Sequence, residues 1–359
     1  EAADDPSVLS IQISLYRLAA HSRIAEALCR AAGNGKQVTC LLELRARFDE
    51  QSNINYAQIL EEAGCTVIYG LDDYKTHAKL CLITMRKHGK LFTITQVGTG
   101  NYNEKTSAIY TDLMLLTADR EIAADAEAVF SGLLNGTFVE NTNKLLVSPL
   151  ALRPQILSMM DEQIEIAKSG GEGYIAAKVN SLCDKVIITK LAEASQAGVK
   201  IELLVRGICC IIPGVEGYTE NITVRSIVGR FLEHSRIFIF GKAGNEQKIY
   251  IGSADYMSRN TIRRVEVAAP VEDEKLKKRI RDMFAVMMKD NVKARIMQND
   301  GTYIHAERKD GEEMLNSQEY FYDEAYKRLE DKKARQEQMR INRSKRKPAK
   351  KRRVTKNKK

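Results

Sequence analysis

Hydrophobic residues along this chain keep switching between two periods. Residues 8–15 form a mixed apolar run, residues 24–32 place apolar side chains at helical spacing, and residues 37–44 form a β-branched and apolar run opened by the turn signal Gly33-Asn34-Gly35. The pattern predicts strand, helix, strand. A helix follows near residues 54–63, then a strand at 66–69, then two strands at about 78–85 and 91–97 flanking a turn at 87–90. Another helix starts about Asp119, where Thr117-Ala118-Asp119 offers oxygens to the amides that a first helical turn leaves without partners. Strands alternating with helices in this way predict an α/β layer structure, a mixed sheet flanked by helices.

The same pattern then begins again. Ala31-Ala32-Gly33-Asn34-Gly35-Lys36-Gln37-Val38-Thr39-Cys40-Leu41-Leu42 is matched by Ala194-Ser195-Gln196-Ala197-Gly198-Val199-Lys200-Ile201-Glu202-Leu203-Leu204-Val205, each a helix end, a Gly and a buried strand. The strand ahead of that helix ends in polar residues both times, Tyr16-Arg17 and Asn180-Ser181. Each copy next offers a His two residues from a base, His77-Ala78-Lys79 and His234-Ser235-Arg236, at or just before a strand start. A further strand ends in Gly98-Thr99-Gly100-Asn101 in one copy and Gly252-Ser253-Ala254-Asp255 in the other. Two diverged copies of one domain are therefore expected, the first over residues 1–141 and the second over 142–299, closed by a helix near 275–289. Residues 300–359 are expected to form a charged helix over 317–343 and then a tail too polar to order by itself.

Charge changes the picture only at the end of the chain. The 359 residues carry a formal net charge of +9, yet residues 340–359 hold 12 basic residues and no acidic one. Residues 1–339 thus contain 44 Lys and Arg against 47 Asp and Glu, and the basic excess belongs to the tail, which reads either as a solvated disordered end or as a segment for electrostatic capture of a polyanion, polyphosphate or RNA. No apolar run reaches the roughly 18 residues of a membrane span. Seven cysteines, odd in number and without paired CxxC spacing, argue for reduced thiols in a cytoplasmic setting and against a disulfide framework or a zinc site. The chain opens at Glu1 with neither initiator Met nor signal peptide, and is expected to be a fragment whose upstream part is missing.

A neutral imidazole is a competent nucleophile toward phosphorus, and a cation two residues along an extended strand projects to the same face. That suits attack on a phosphoryl group with neutralisation of its oxygens. One such pair is close to chance; two at equivalent places in a repeat single out His77 and His234, with Lys79 and Arg236 as phosphate neutralisers. His21, His88 and His305 sit in polar or turn contexts and read as surface residues. Arg17 and Arg206 end strands, on the side of a sheet where α/β sites form. Asn101 could orient His77 or a phosphate, or be an ordinary turn residue. Gly33-Asn34-Gly35-Lys36 lacks the spacing of a phosphate loop and reads as a turn.

The paired HxK/R motifs with Gly-rich strand ends resemble the phospholipase D superfamily, in which two such domains bring their histidines together. That family places an Asp five residues after the base, where this chain has Thr84 and Gly241, and an Asn where it has Asp255. A closer resemblance is to polyphosphate kinases of the first family, whose C-terminal half is two phospholipase D-like domains. It is carried by Ser14-Leu15-Tyr16-Arg17, Leu44-Arg45-Ala46-Arg47-Phe48-Asp49-Glu50, Lys75-Thr76-His77-Ala78-Lys79-Leu80, Gly98-Thr99-Gly100-Asn101-Tyr102-Asn103-Glu104-Lys105-Thr106 and Tyr110-Thr111-Asp112. It continues through Val205-Arg206-Gly207-Ile208-Cys209 and Ser226-Ile227-Val228-Gly229-Arg230-Phe231-Leu232-Glu233-His234-Ser235-Arg236, with weaker likeness at Asp300-Gly301-Thr302-Tyr303 and Asn316-Ser317-Gln318-Glu319.

The resemblance implies an ATP:polyphosphate phosphotransferase that moves the terminal phosphoryl of ATP onto polyphosphate and, in reverse, onto ADP. By the same resemblance His77 becomes the phosphohistidine, His234 assists at the nucleotide phosphates as general acid or base, Tyr110 contacts the nucleotide and Arg206 its phosphates. The family assigns Arg17 and Arg47 to a metal–phosphate site; a guanidinium offers a metal no acceptor, so both read as clamps on phosphate oxygens with Mg2+ bridging nearby. A homo-oligomer is implied for the full-length protein, in the cytoplasm or peripheral to the membrane. Symmetry alone does not say which His is the nucleophile. A phospholipase D-like phosphodiesterase or nuclease, or a polyanion-binding module without catalysis, are the alternative readings.

Overall fold

The computed structural model describes residues 1–43, 50–71, 73–244, 246–308 and 310–345. Its first half is built on a six-stranded sheet in the order Thr66–Ile68, Gln37–Leu42, Val8–Leu15, Leu80–Lys87, Lys90–Gly98, Met114–Thr117. The first three strands run parallel, with Ile13 opposite Cys40, and the rest are antiparallel, with Ile11 opposite Ile83. Helix Arg23–Gly33 starts where the Ser22 hydroxyl accepts from the Ala25 amide and stops at Asn34, after which Gly35 takes a positive φ of 77°. Its buried Ala25, Leu28 and Ala31 pack with Ile11, Ile13 and Leu15 on one sheet face. Helix Arg120–Leu134, capped by Asp119 as expected, covers the other face, with Phe130 against the layer of Leu80 and Leu82.

The second half repeats this plan on a nine-stranded sheet. Strands Ile222–Ile227, Lys200–Val205, Tyr174–Val179, Arg236–Phe240, Lys248–Gly252 and Val267–Pro270 stand in the same order as the six of the first sheet, again with a parallel trio and antiparallel neighbours. Two strands flank one edge, Ala294–Met297 and Tyr303–His305, and Leu146–Val147 flanks the other. The strand at 303–305 thus carries the second sheet past residue 299. Ser317–Lys345 is one helix, as its charge pattern predicts; residues 346–359 of the basic tail lie outside the described residues. All seven cysteines are free thiols.

The two halves are sewn together beside the histidines. Lys75–Thr76 pairs in parallel with Arg264–Val265, and Tyr110–Thr111 pairs in parallel with Leu232–Glu233. The amides of His77 and Ala78 donate to the Val265 carbonyl across the boundary, which is why the strand expected from residue 78 joins its own sheet only at Leu80. A shared core of Leu41, Leu80 and Phe130 with Val265, Val267 and Ala269 closes the join.

Candidate active site

Each cross-boundary pair of short strands runs directly into a histidine, and both imidazoles are about nine-tenths buried. His77 turns its Nδ1 to both carboxylate oxygens of Glu266, at 3.0 and 2.9 Å. His234 turns its Nδ1 to Asp112, at 2.9 Å. The carboxylates are exchanged: Glu266, from the second half, serves the first half's histidine, and Asp112, from the first half, serves the second's. A carboxylate accepts and cannot donate, so each Nδ1 carries the proton and each Nε2 keeps its lone pair.

The two carboxylates are themselves held alike. The Thr99 hydroxyl donates to Asp112 at 2.6 Å, and the Ser253 hydroxyl donates to Glu266. In both copies the hydroxyl lies 13 residues before the carboxylate. That repeated spacing is the signal by which Asp112 and Glu266 could have been found in the sequence. Gly100 makes room for this arrangement, because a Cβ there would stand 2.1 Å from an Asp112 oxygen.

Around His77 the ring of Tyr16 packs edge-on at 4.8 Å, and the Lys79 ammonium lies 5.2 Å from the centre of the Tyr16 ring. Lys79 bonds back to the His77 carbonyl, and among the described residues no carboxylate is bonded to it. Arg17 lies next to this group, its guanidinium 5.6 Å from the Tyr16 ring. Around His234 the ring of Tyr110 packs at 4.8 Å, and the Arg206 Nε donates to the Glu233 carbonyl at 2.8 Å. The terminal nitrogens of Arg206 make no hydrogen bond among the described residues. Arg236, by contrast, pairs with both oxygens of Asp255 at 3.2 Å and is 3% exposed. The two bases expected to neutralise phosphate therefore differ in their bonding: among the described residues Lys79 has no carboxylate bonded to it, whereas Arg236 is paired with Asp255. Among the described residues Asn101, at the place of Asp255 in the first copy, bonds neither Lys79 nor His77, and its buried Oδ1 has no hydrogen-bond partner. His21, His88 and His305 are exposed, as expected, and Arg47 lies outside the described residues.

Electrostatics follow from burial. Desolvation, reinforced by Lys79, Arg264 and Arg236, holds His77 well below the usual imidazole range, so its ring is neutral at neutral pH. His234 is pushed down to about 4 by burial and by Arg236, against the pull of Asp112. Burial is the largest influence on the Asp112 carboxyl and raises it, but the hydrogen bonds from His234 and Thr99 together with the charges of His234 and Arg236 outweigh it, and the group sits below its ordinary range. Glu266 is fully buried, and desolvation carries it upward against Lys79 and Arg264. Burial also lowers Lys79 to about 7, with Glu266 pulling the other way.

Tandem α/β units, each with a histidine braced by the other unit's carboxylate, make a phospholipase D-like tandem fold. The polyphosphate kinase C-terminal domain 1 model matches residues 1–138, and the C-terminal domain 2 model matches residues 145–318. The chain belongs to the polyphosphate kinase family. It is 47% identical over 338 residues to the polyphosphate kinase of Staphylococcus haemolyticus, covering 94% of this chain and 46% of that protein. With the polyphosphate kinase of Bacillus anthracis it shares 47% identity over 91% of this chain and 46% of the relative. The crystal structure of polyphosphate kinase from Porphyromonas gingivalis superposes with a TM-score of 0.83 at 36% identity, over 92% of this chain and 50% of that one. Phosphatidylserine synthase of Haemophilus influenzae shares the fold alone, with a TM-score of 0.56 at 9% identity over 92% of this chain and 90% of its own. The chain spans about half the length of the polyphosphate kinases it matches.

Proposed function

We propose that this chain carries the phosphoryl-transfer site of an ATP:polyphosphate phosphotransferase working through a phosphohistidine at His77. The observation that carries the reading is the neutral, carboxylate-braced His77 next to Lys79, which has no carboxylate bonded to it among the described residues. The Nε2 lone pair of His77 attacks the γ-phosphorus of ATP, an N–P bond forms, and the bond to the β,γ-bridging oxygen breaks with its electrons leaving on ADP. The Nδ1 proton stays on the ring, and Glu266 stabilises the positive charge that develops there. A terminal oxygen of polyphosphate then attacks the same phosphorus and displaces Nε2; with ADP as acceptor the sequence runs backward. Lys79, Arg17 and Arg206 take the phosphate oxygens, Tyr110 lies against the nucleotide, and His234, held by Asp112, exchanges a proton at the phosphates.

Magnesium belongs in this reading with the nucleotide. Among the described residues no group of three or more His, Cys, Asp or Glu side chains is placed to hold a metal ion, and the cationic Arg17 cannot ligate one. In this reading the ion enters with ATP, as the counter-ion of its phosphates. No helix among the described residues is long and apolar enough to cross a membrane. The same reading places the reaction in the cytoplasm, assigns the full-length protein to a homo-oligomer and gives the basic tail a polyanion to capture; resemblance and composition carry these points.

The test is a chase. Full-length protein labelled from γ-labelled ATP and freed of nucleotide is expected to hand its acid-labile, base-stable label to polyphosphate or back to ADP. Label that forms but passes to neither acceptor would overturn the proposal.

A further inference from the structure

Tyr110–Thr111 pairs with one side of the arm, Leu232–Glu233, that delivers His234. On the other side stands Gln318, in the first turn of the C-terminal helix and 4% exposed. Its carboxamide binds the backbone of Phe231 in both directions, the Phe231 amide donating to Oε1 at 2.9 Å and Nε2 donating to the Phe231 carbonyl at 2.8 Å. A side chain thus completes what a neighbouring strand would supply. Nε2 also donates to the Glu233 carboxylate at 2.6 Å, one residue before His234. The other Glu233 oxygen accepts from Thr111 and pairs with Lys178, each at 3.0 Å, so nothing on that side chain is left to drift.

Gln318 is in turn pinned. The fully buried Asp290 accepts from both the amide and the hydroxyl of Ser317 at 2.7 Å. Gly229, at the root of the arm, leaves the space the carboxamide fills, because a Cβ there would lie 2.6 Å from Gln318 Oε1. The helix beyond its first turns is exposed, so the anchoring of this element is concentrated where it meets the arm.

We propose that Gln318 is a positioning residue of the phosphoryl-transfer site, fixing from the C-terminal helix the arm that presents His234 to Asp112. The proposal deepens, and rests on, the phosphotransferase reading of that site. It gives a purpose to Asn316-Ser317-Gln318-Glu319, a segment the reaction itself does not use.

The chain has five histidines, so 15N-histidine labelling gives an imidazole spectrum simple enough to assign with single His→Ala variants. Gln318→Ala is expected to shift the His234 resonances and raise its titration midpoint while leaving those of His77 in place. Gly229→Ala, which displaces the carboxamide without touching Gln318, is expected to do the same, and serves if the first variant fails to fold. In the full-length protein both variants are expected to lower kcat about tenfold or more, per site labelled at His77, and to move the acid limb of the pH–rate profile. A merely structural role would lower thermal stability and the fraction of sites labelled, leaving kcat per labelled site and the pH profile unchanged. His234 resonances unchanged in both variants would overturn the proposal. Wild-type protein that takes no label from ATP would overturn the phosphotransferase reading instead, and the His234 spectrum would still decide whether Gln318 holds the arm.

Discussion

The two histidine sites share one scaffold and differ in charge. In each, a short cross-boundary strand pair leads into the histidine, the Nδ1 meets a carboxylate of the other half, and a hydroxyl 13 residues upstream orients that carboxylate. The neighbouring base separates them. Arg236 is neutralised by Asp255, whereas Lys79 has Asn101 at the equivalent place and no carboxylate bonded to it among the described residues. The repeat gives both sites one geometry, and Lys79 with Asn101 in one copy against Arg236 with Asp255 in the other makes their bonding different.

The sharpest way to break that comparison is to remove each carboxylate in turn. Glu266→Gln deprives the proposed nucleophile of its charge partner, and the rate of His77 labelling in a single turnover should fall about 10²- to 10⁴-fold. Asp112→Asn disturbs the assisting histidine, with an expected loss of about ten- to a hundredfold in the same measurement. Equal losses would mean that the two sites are functionally symmetric.

The smaller effect concerns Lys79. Its midpoint near 7 means that the ammonium is present below pH 7 and lost as pH rises through it. In the free protein kcat/KM for ATP should therefore decline above about pH 7, by at most tenfold per pH unit. Lys79→Arg keeps its charge throughout and should flatten that decline; a decline that persists unchanged would assign the titration to another group.

Much of this was legible in the chain. The period of the apolar residues gave the order of strands and helices, and the repeat of His77-Ala78-Lys79 in His234-Ser235-Arg236 pointed to the paired site. Local patterns report local structure, and the partners of these residues are not local. Glu266 lies 189 residues from His77, Asp112 lies 122 from His234, and Gln318 lies 85 from Glu233. Lone acidic or amide residues at such distances carry no period; the hydroxyl–carboxylate spacing, present in both copies, is the exception. Short edge strands such as Leu146–Val147 and Tyr303–His305 escaped for a related reason, since their register is set by the sheet they join.

The central claim is that two similar histidines have been divided into one nucleophile and one assistant. Mapping the trapped phosphoryl group by peptide in His77→Ala and His234→Ala variants of the full-length protein tests it most directly. The account predicts no label in His77→Ala, and label on His77, formed more slowly, in His234→Ala. Label on His234 in the His77→Ala protein would contradict it.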